Sequence, residues 1–220
     1  MAVNETFDLE GPAGRLEAIL MSPSSAPLAA AVVCHAHPLH GGMMHFKVVF
    51  RVAKALQAAG CAVLRFNFRG VGRSEGTFDD GEGEQGDARA ALNEMERRFS
   101  GRPLLLGGFS FGSVVALQVS RHDERVRAAF LLGYPASLVG KPEGLDVAGK
   151  PRLFVQGEKD QFCSGERLRA FVEPWPDGRS LVVVPGGDHF FTGQLDEAQA
   201  AVELWAKGRP WDRRGDEGDT

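Results

Sequence analysis

The chain is short of several things that would narrow its role at once. Only three cysteines occur in 220 residues, Cys34, Cys61 and Cys163, an odd number without clustered spacing. That is not a disulfide framework, and a reducing cytoplasm is the expected home. Positive charge is not in surplus either. Twenty-five Lys and Arg stand against 29 Asp and Glu, a net charge of −4, which argues against a nucleic-acid surface as the main partner. No apolar run approaches the roughly 20 residues of a membrane helix. Met1–Glu10 lacks the basic stretch and apolar core of a signal peptide. Internal repeats and linkers are missing too. These absences lead us to expect a soluble protein, a monomer or small homo-oligomer, with no nucleic-acid or membrane partner. Residues 1–207 read as one domain, and residues 208–220 as a polar, Gly-rich tail that frays. A domain of that size buries roughly 70–75% of the surface of its unfolded chain, enough for a substantial core.

What is present is a rhythm. Short apolar runs occur at Leu28–Cys34, Cys61–Phe66, Pro103–Leu106, Val126–Leu132, Arg152–Gln156 and Ser180–Val184. Several are apolar without a break, as strands buried on both faces of a parallel sheet must be. Amphipathic stretches lie between them at Phe46–Ala59, Gln85–Phe99, Phe111–Arg121, Glu166–Glu173 and Leu195–Ala206. The alternation predicts an α/β fold, a doubly wound and mostly parallel sheet with helices on both faces. Phe7–Leu9 and Leu16–Leu20 add antiparallel edge strands. Between the strand near Leu132 and the one at Arg152, Tyr134–Lys150 leaves room only for a loop and a short helix. We therefore expect no cap domain.

Gly108-Phe109-Ser110-Phe111-Gly112 stands between a buried strand and a helical run. A serine on a sharp strand-to-helix turn needs small neighbours two residues away, and Gly108 and Gly112 meet that need. The turn presents the hydroxyl at the carboxyl end of the sheet, where α/β ligand sites lie. A serine hydroxyl is a poor nucleophile without a base, and the base needs an orienting group. Asp160 follows the run at Arg152–Gln156, and His189 follows the run at Ser180–Val184, so both reach the edge that carries Ser110. The chain order of Ser, Asp and His is the order of an α/β-hydrolase triad. Glu158 is a second candidate acid. Asp188, next to His189 in sequence, is expected to shape the loop.

These segments resemble the α/β-hydrolase superfamily from about Gly14 to Ala206, and within it the small lidless bacterial serine hydrolases related to dienelactone hydrolases. The stretches that carry the resemblance are CHAHPLHGG (Cys34–Gly42), FNFRGVGRSEG (Phe66–Gly76), GGFSFGS (Gly107–Ser113), GEKD (Gly157–Asp160) and GGDHFF (Gly186–Phe191). Dienelactone hydrolases proper carry Cys at the elbow, where this chain has Ser110. The resemblance implies a carboxylesterase-type reaction on a small ester of short to medium acyl chain, with no cofactor. It also implies an oxyanion hole made by the backbone N–H groups of Phe111 and His37, with Leu39 as a substitute for His37. Met43, Met44, Phe109, Phe111, Phe162, Phe190 and Phe191 are candidate apolar walls. The side chains of His35 and His37 are expected to serve the turn and its packing.

Two rival readings follow from other motifs. His35, His37 and His40 have the spacing of a metallohydrolase signature, with Leu39 where that signature has Asp. Gly70–Gly76 is a glycine-rich loop after a strand, as in nucleotide-binding proteins, but acidic residues follow it (Asp79, Asp80, Glu82, Glu84). We expect that acidic run to be a solvated helix entry.

Overall fold

The structure is a computed structural model that describes residues 3–139, 150–174 and 179–212. Eight strands form one sheet in the order β1-β2-β4-β3-β5-β6-β7-β8. They are β1 (Val3–Gly11), β2 (Gly14–Ser22), β3 (Ala29–Cys34), β4 (Cys61–Phe66), β5 (Leu104–Phe109), β6 (Val126–Leu132), β7 (Arg152–Gly157) and β8 (Arg179–Val184). The first two form an antiparallel hairpin and β2 pairs antiparallel with β4, while every pairing from β4 through β3 to β8 is parallel.

Alternation of side chains along the strands divides the core in two. Ala30, Val32 and Cys34 of β3 face one layer, and Ala29, Ala31 and Val33 face the other. The first layer packs under helices α2 (Glu82–Arg98), α3 (Phe111–His122) and α5 (Gly165–Val172). The second packs under α1 (Lys47–Ala58) and α6 (Leu195–Lys207). A four-residue helix, α4 (Ala136–Val139), follows β6. The chain leaves β3 toward β4 on one side and reaches β5 on the other. This reversal opens a crevice at the carboxyl ends of β3 and β5, the place where ligands bind in open α/β sheets.

Three details differ from the sequence reading. Helix α2 begins at Glu82 rather than Gln85, because Glu84 turns back to accept the Gly81 N–H at 2.8 Å and the Asp79 N–H at 3.1 Å. Glu84 is thus buried in a cap and is not part of a solvated acidic face. Residues 208–212 do not belong to a fraying tail. Pro210–Asp212 make a 3-10 turn that seats Trp211 in the α1/α6 core, 2% exposed and edge-on to Trp205 at 6.3 Å. Residues 213–220 of the expected tail, and residues 140–149 of the segment expected to be too short for a lid, lie outside the described residues. All three cysteines are buried and unpaired. Among the described residues no helix is long and apolar enough to cross a membrane.

Candidate active site

Strand β5 runs directly into α3, and Ser110 is the single residue between them. Its backbone sits at φ 55°, ψ −120°, a region that non-glycine residues occupy at a cost of about 1–3 kcal/mol. The neighbours tolerate this only because they lack side chains. A Cβ on Gly108 would lie 2.6 Å from the Gly112 backbone, and one on Gly112 would lie 2.4 Å from the His35 carbonyl oxygen. The Ser110 N–H donates to Leu132 O at 2.9 Å, and the Ser113 hydroxyl donates to Ser110 O at 2.5 Å. The turn is therefore clamped between β3 and β6, and it points the hydroxyl outward.

The hydroxyl meets an imidazole. Ser110 Oγ lies 2.9 Å from His189 Nε2, and His189 Nδ1 lies 2.7 Å from Asp160 Oδ2. With a carboxylate at Nδ1, that nitrogen carries the proton and Nε2 is left free to accept from the serine; the hydrogen-bond network assigns this tautomer. Three rings wall the imidazole: Phe162 at 4.6 Å, Phe109 at 5.0 Å and Phe190 at 5.2 Å between centroids. His189 is only 2% exposed.

The other two carboxylates point elsewhere. Glu158 accepts the Gly186 N–H at 2.7 Å, and Asp188 accepts from Phe190 N at 3.0 Å and Thr192 N at 2.9 Å. These amides, Thr192 foremost, hold the Asp188 carboxyl below the usual carboxylate range. Asp188 shapes the loop that presents His189. Asp160 instead accepts four N–H groups. His189 and the Gln156 amide (2.9 Å) meet Oδ2, while Phe162 N (2.8 Å) and Cys163 N (3.3 Å) meet Oδ1. Gln156 was not singled out from the sequence, where a lone amide at the end of an apolar run carries no signal.

Phe111, the first residue of α3, is one of the donors that a helix start leaves without an intrahelical acceptor. Its ring lies 5.0 Å from that of His37, so the loop after β3 and the elbow are neighbours. In that loop the Leu39 N–H donates to His37 Nδ1 at 3.2 Å. Of the candidate walls, Met44, Phe109 and Phe191 are core residues at 0% exposure. Phe109 nevertheless lays its ring against His189, while Met43 and Phe190 are each 44% exposed and Phe111 and Phe162 are half-buried. Phe46 and Phe78 join them without having been foreseen: Phe46 packs on Phe190 at 5.9 Å and Phe78 on Phe111 at 5.8 Å. A cleft of about 550 Å³ opens beside Phe190, lined also by Met43, Phe46 and Leu195.

The rival motifs are taken up by structure. His35 is fully buried, its Nδ1 donating to Ala36 O at 2.6 Å and its Nε2 accepting the Phe68 N–H at 3.0 Å. The His37 and His40 rings stack at 4.4 Å instead of converging, and His35 has no nitrogen left for an ion. Among the described residues no group of His, Cys, Asp and Glu is arranged to hold a metal. The glycine-rich loop spends most of its own N–H groups inside the fold. Gly70 N donates to Glu75 O, Val71 N to Phe68 O, Arg73 N to Glu17 Oε2, Ser74 N to Val71 O and Glu75 N to Arg15 O.

A doubly wound sheet with a strained serine elbow and a Ser–His–Asp chain of hydrogen bonds at its carboxyl edge is the architecture of an α/β hydrolase. The chain belongs to the alpha/beta hydrolase domain family, whose match spans residues 29–207. Among solved structures, an α/β serine hydrolase homologue from Coxiella burnetii is 37% identical with a TM-score of 0.85, covering 91% of this chain and 96% of its own. A Xanthomonas campestris protein described as an α/β serine hydrolase without lid is 33% identical with a TM-score of 0.84, covering 94% of each chain. An uncharacterized protein of Rickettsia prowazekii is 33% identical over 200 residues, 87% of this chain and 84% of its own.

Proposed function

We propose that this hydrolase is a carboxylesterase acting on short- to medium-chain esters through an acyl-enzyme on Ser110. The observation that carries the reading is the continuous relay from Ser110 Oγ through His189 to Asp160, seated on the elbow. In this mechanism His189 Nε2 takes the Ser110 proton as Oγ attacks the ester carbonyl. Asp160 fixes the ring and stabilises the imidazolium that forms. The N–H groups of Phe111 and His37 receive the oxyanion. His189 then protonates the departing alcohol, and a water deprotonated by the same nitrogen releases the acid.

An ester is the substrate because an alkoxide leaves more readily than an amide nitrogen. Chain length follows from the open site. Each CH₂ buried gains about 0.8 kcal/mol only while wall remains to bury it, and the walls here are a few half-exposed rings. The test is a p-nitrophenyl series from acetate to palmitate, with an amide and a lactone alongside, on wild type and Ser110→Ala. Activity should peak at short to medium length without a jump at the substrate's solubility limit. It should fall on the order of 10⁶-fold in the variant, and a fluorophosphonate should label Ser110 alone. An optimum at palmitate overturns the chain-length reading; labelling at another residue overturns the nucleophile.

A further inference from the structure

We infer that Gln156 is a positioning residue for catalysis, holding the Asp160 carboxylate in the one rotation that serves His189. The inference rests on the triad reading above. Gln156 ends β7 and is fully buried. Its amide is engaged on both sides: Oε1 accepts the Tyr134 N–H at 2.9 Å, and Nε2 donates to Asp160 Oδ2 at 2.9 Å and to Cys163 O at 2.7 Å. The amide cannot be flipped, because that would set its oxygen against two acceptors and its NH₂ against a donor. One N–H is thereby fixed on the same carboxylate oxygen that receives His189 Nδ1.

The geometry gives Gln156 a job the backbone cannot do. Phe162 N and Cys163 N hold only Oδ1, which leaves the carboxylate free to tilt about that oxygen. The amide pins the second oxygen. It also ties the turn after β6, through Tyr134, to the acid loop after β7. A carboxylate accepts about four hydrogen bonds, and Asp160 has four, so removing Gln156 leaves one lone pair seeking another donor. In a buried site that donor is water or a rotated neighbour, and either moves Oδ2 off the His189 axis.

The substitutions that test this are Gln156→Leu and Gln156→Glu. Leucine removes the donor and also leaves Tyr134 N and Cys163 O unpartnered. It should lower kcat by roughly 10- to 100-fold, the range of a coupled hydrogen-bond network, with KM little changed. Glutamate keeps the acceptor for Tyr134 N but can face Asp160 only while it carries a proton. Two carboxyls sharing one proton lose it at raised pH. Gln156→Glu should therefore approach wild-type kcat near pH 6 and fall away progressively toward pH 9, a profile that a purely structural lesion would not produce. If the leucine variant does not fold, the glutamate profile alone decides.

A double-mutant cycle separates this inference from the triad reading. Asp160→Asn alone should cost on the order of 10⁴-fold in kcat, and adding Gln156→Leu should cost little more. If Asp160→Asn has no effect, the triad reading fails. If Asp160→Asn is crippling while both Gln156 variants keep wild-type kcat at every pH, or the two losses simply multiply, Gln156 does not act through Asp160 and the inference is overturned.

Discussion

Acid should weaken this fold above the range in which carboxylates titrate, and His35 is the reason. Burial pushes its imidazole down from an ordinary value of 6.5 to about 4. The folded state therefore holds it neutral, with Nδ1–H on Ala36 O and Nε2 accepting from Phe68 N. The unfolded chain binds a proton below pH 6.5 and the folded chain does not until about pH 4, so stability is complete above 6.5 and is lost as pH falls. A tenfold difference in proton affinity is worth ~1.4 kcal/mol. The whole gap thus costs about 3 kcal/mol, and the interval from pH 7 to pH 5 about 2 kcal/mol. The half-buried His37, also lowered by burial, adds to the loss with the same sign. Paired carboxylates act elsewhere. Glu94, bonded to Arg97 and Arg98, and Asp123, bonded to Arg125, lose their contributions only below their ordinary values of 4.5 and 3.8. Urea unfolding at pH 7 and pH 5 should show the drop in wild type. In His35→Gln it should be smaller by about 2 kcal/mol, even though that variant starts less stable at pH 7. Equal drops in the two proteins would refute the assignment. The consequence reaches the site, because His35 braces the loop that carries His37.

Other expectations are as direct. Asp160→Asn should cut kcat by roughly 10⁴-fold while Glu158→Gln changes it little; a reversal in steady-state assays would make Glu158 the acid. Gly112→Ala places a Cβ 2.4 Å from the His35 carbonyl oxygen and must push the loop from the elbow. Fluorophosphonate labelling should slow by about 100-fold or more, the cost of misplacing reacting groups by an ångström, and an unchanged rate would show that the elbow tolerates the methyl. Trp211→Ala should cost about 3–5 kcal/mol in chemical denaturation, whereas a loss under 1 kcal/mol would mean that the 3-10 turn adds nothing to the core.

Most of the sheet was legible because parallel strands buried on both faces cannot alternate. Ala29–Cys34 is apolar throughout and Cys61–Phe66 is broken only by Arg65, a pattern that suits a central strand buried on both faces. The antiparallel hairpin was legible only in part: β1 and β2 are nine residues each, longer than the apolar kernels at Phe7–Leu9 and Leu16–Leu20. An edge hairpin is held by backbone bonds that polar residues make equally well. Trp211 was missed for a related reason. A single aromatic in a charged segment has no period, yet one ring finding a hole in the core is enough to order the turn around it.

The site divides along the same line. The turn at Ser110 was readable because it is a steric problem, and only glycine at Gly108 and Gly112 solves it locally. The carboxylate partner of the imidazole was harder. Three carboxylates, on Glu158, Asp160 and Asp188, reach the same sheet edge, and the sequence assigns Asp188 to its own loop but leaves Glu158 as a rival to Asp160. What separates them is where each finds its amides. Glu158 is drawn to Gly186 N and Asp188 to its own loop, while Phe162 N and Cys163 N catch Oδ1 of Asp160 and swing Oδ2 toward His189. The amides of the turn at 160–163 are local, but the Gln156 amide that completes the arrangement is aimed by Tyr134, which arrives from β6 through the fold. The elbow is thus encoded in five consecutive residues, whereas the aim of the Asp160 carboxylate depends on a contact that exists only after β6 and β7 have assembled.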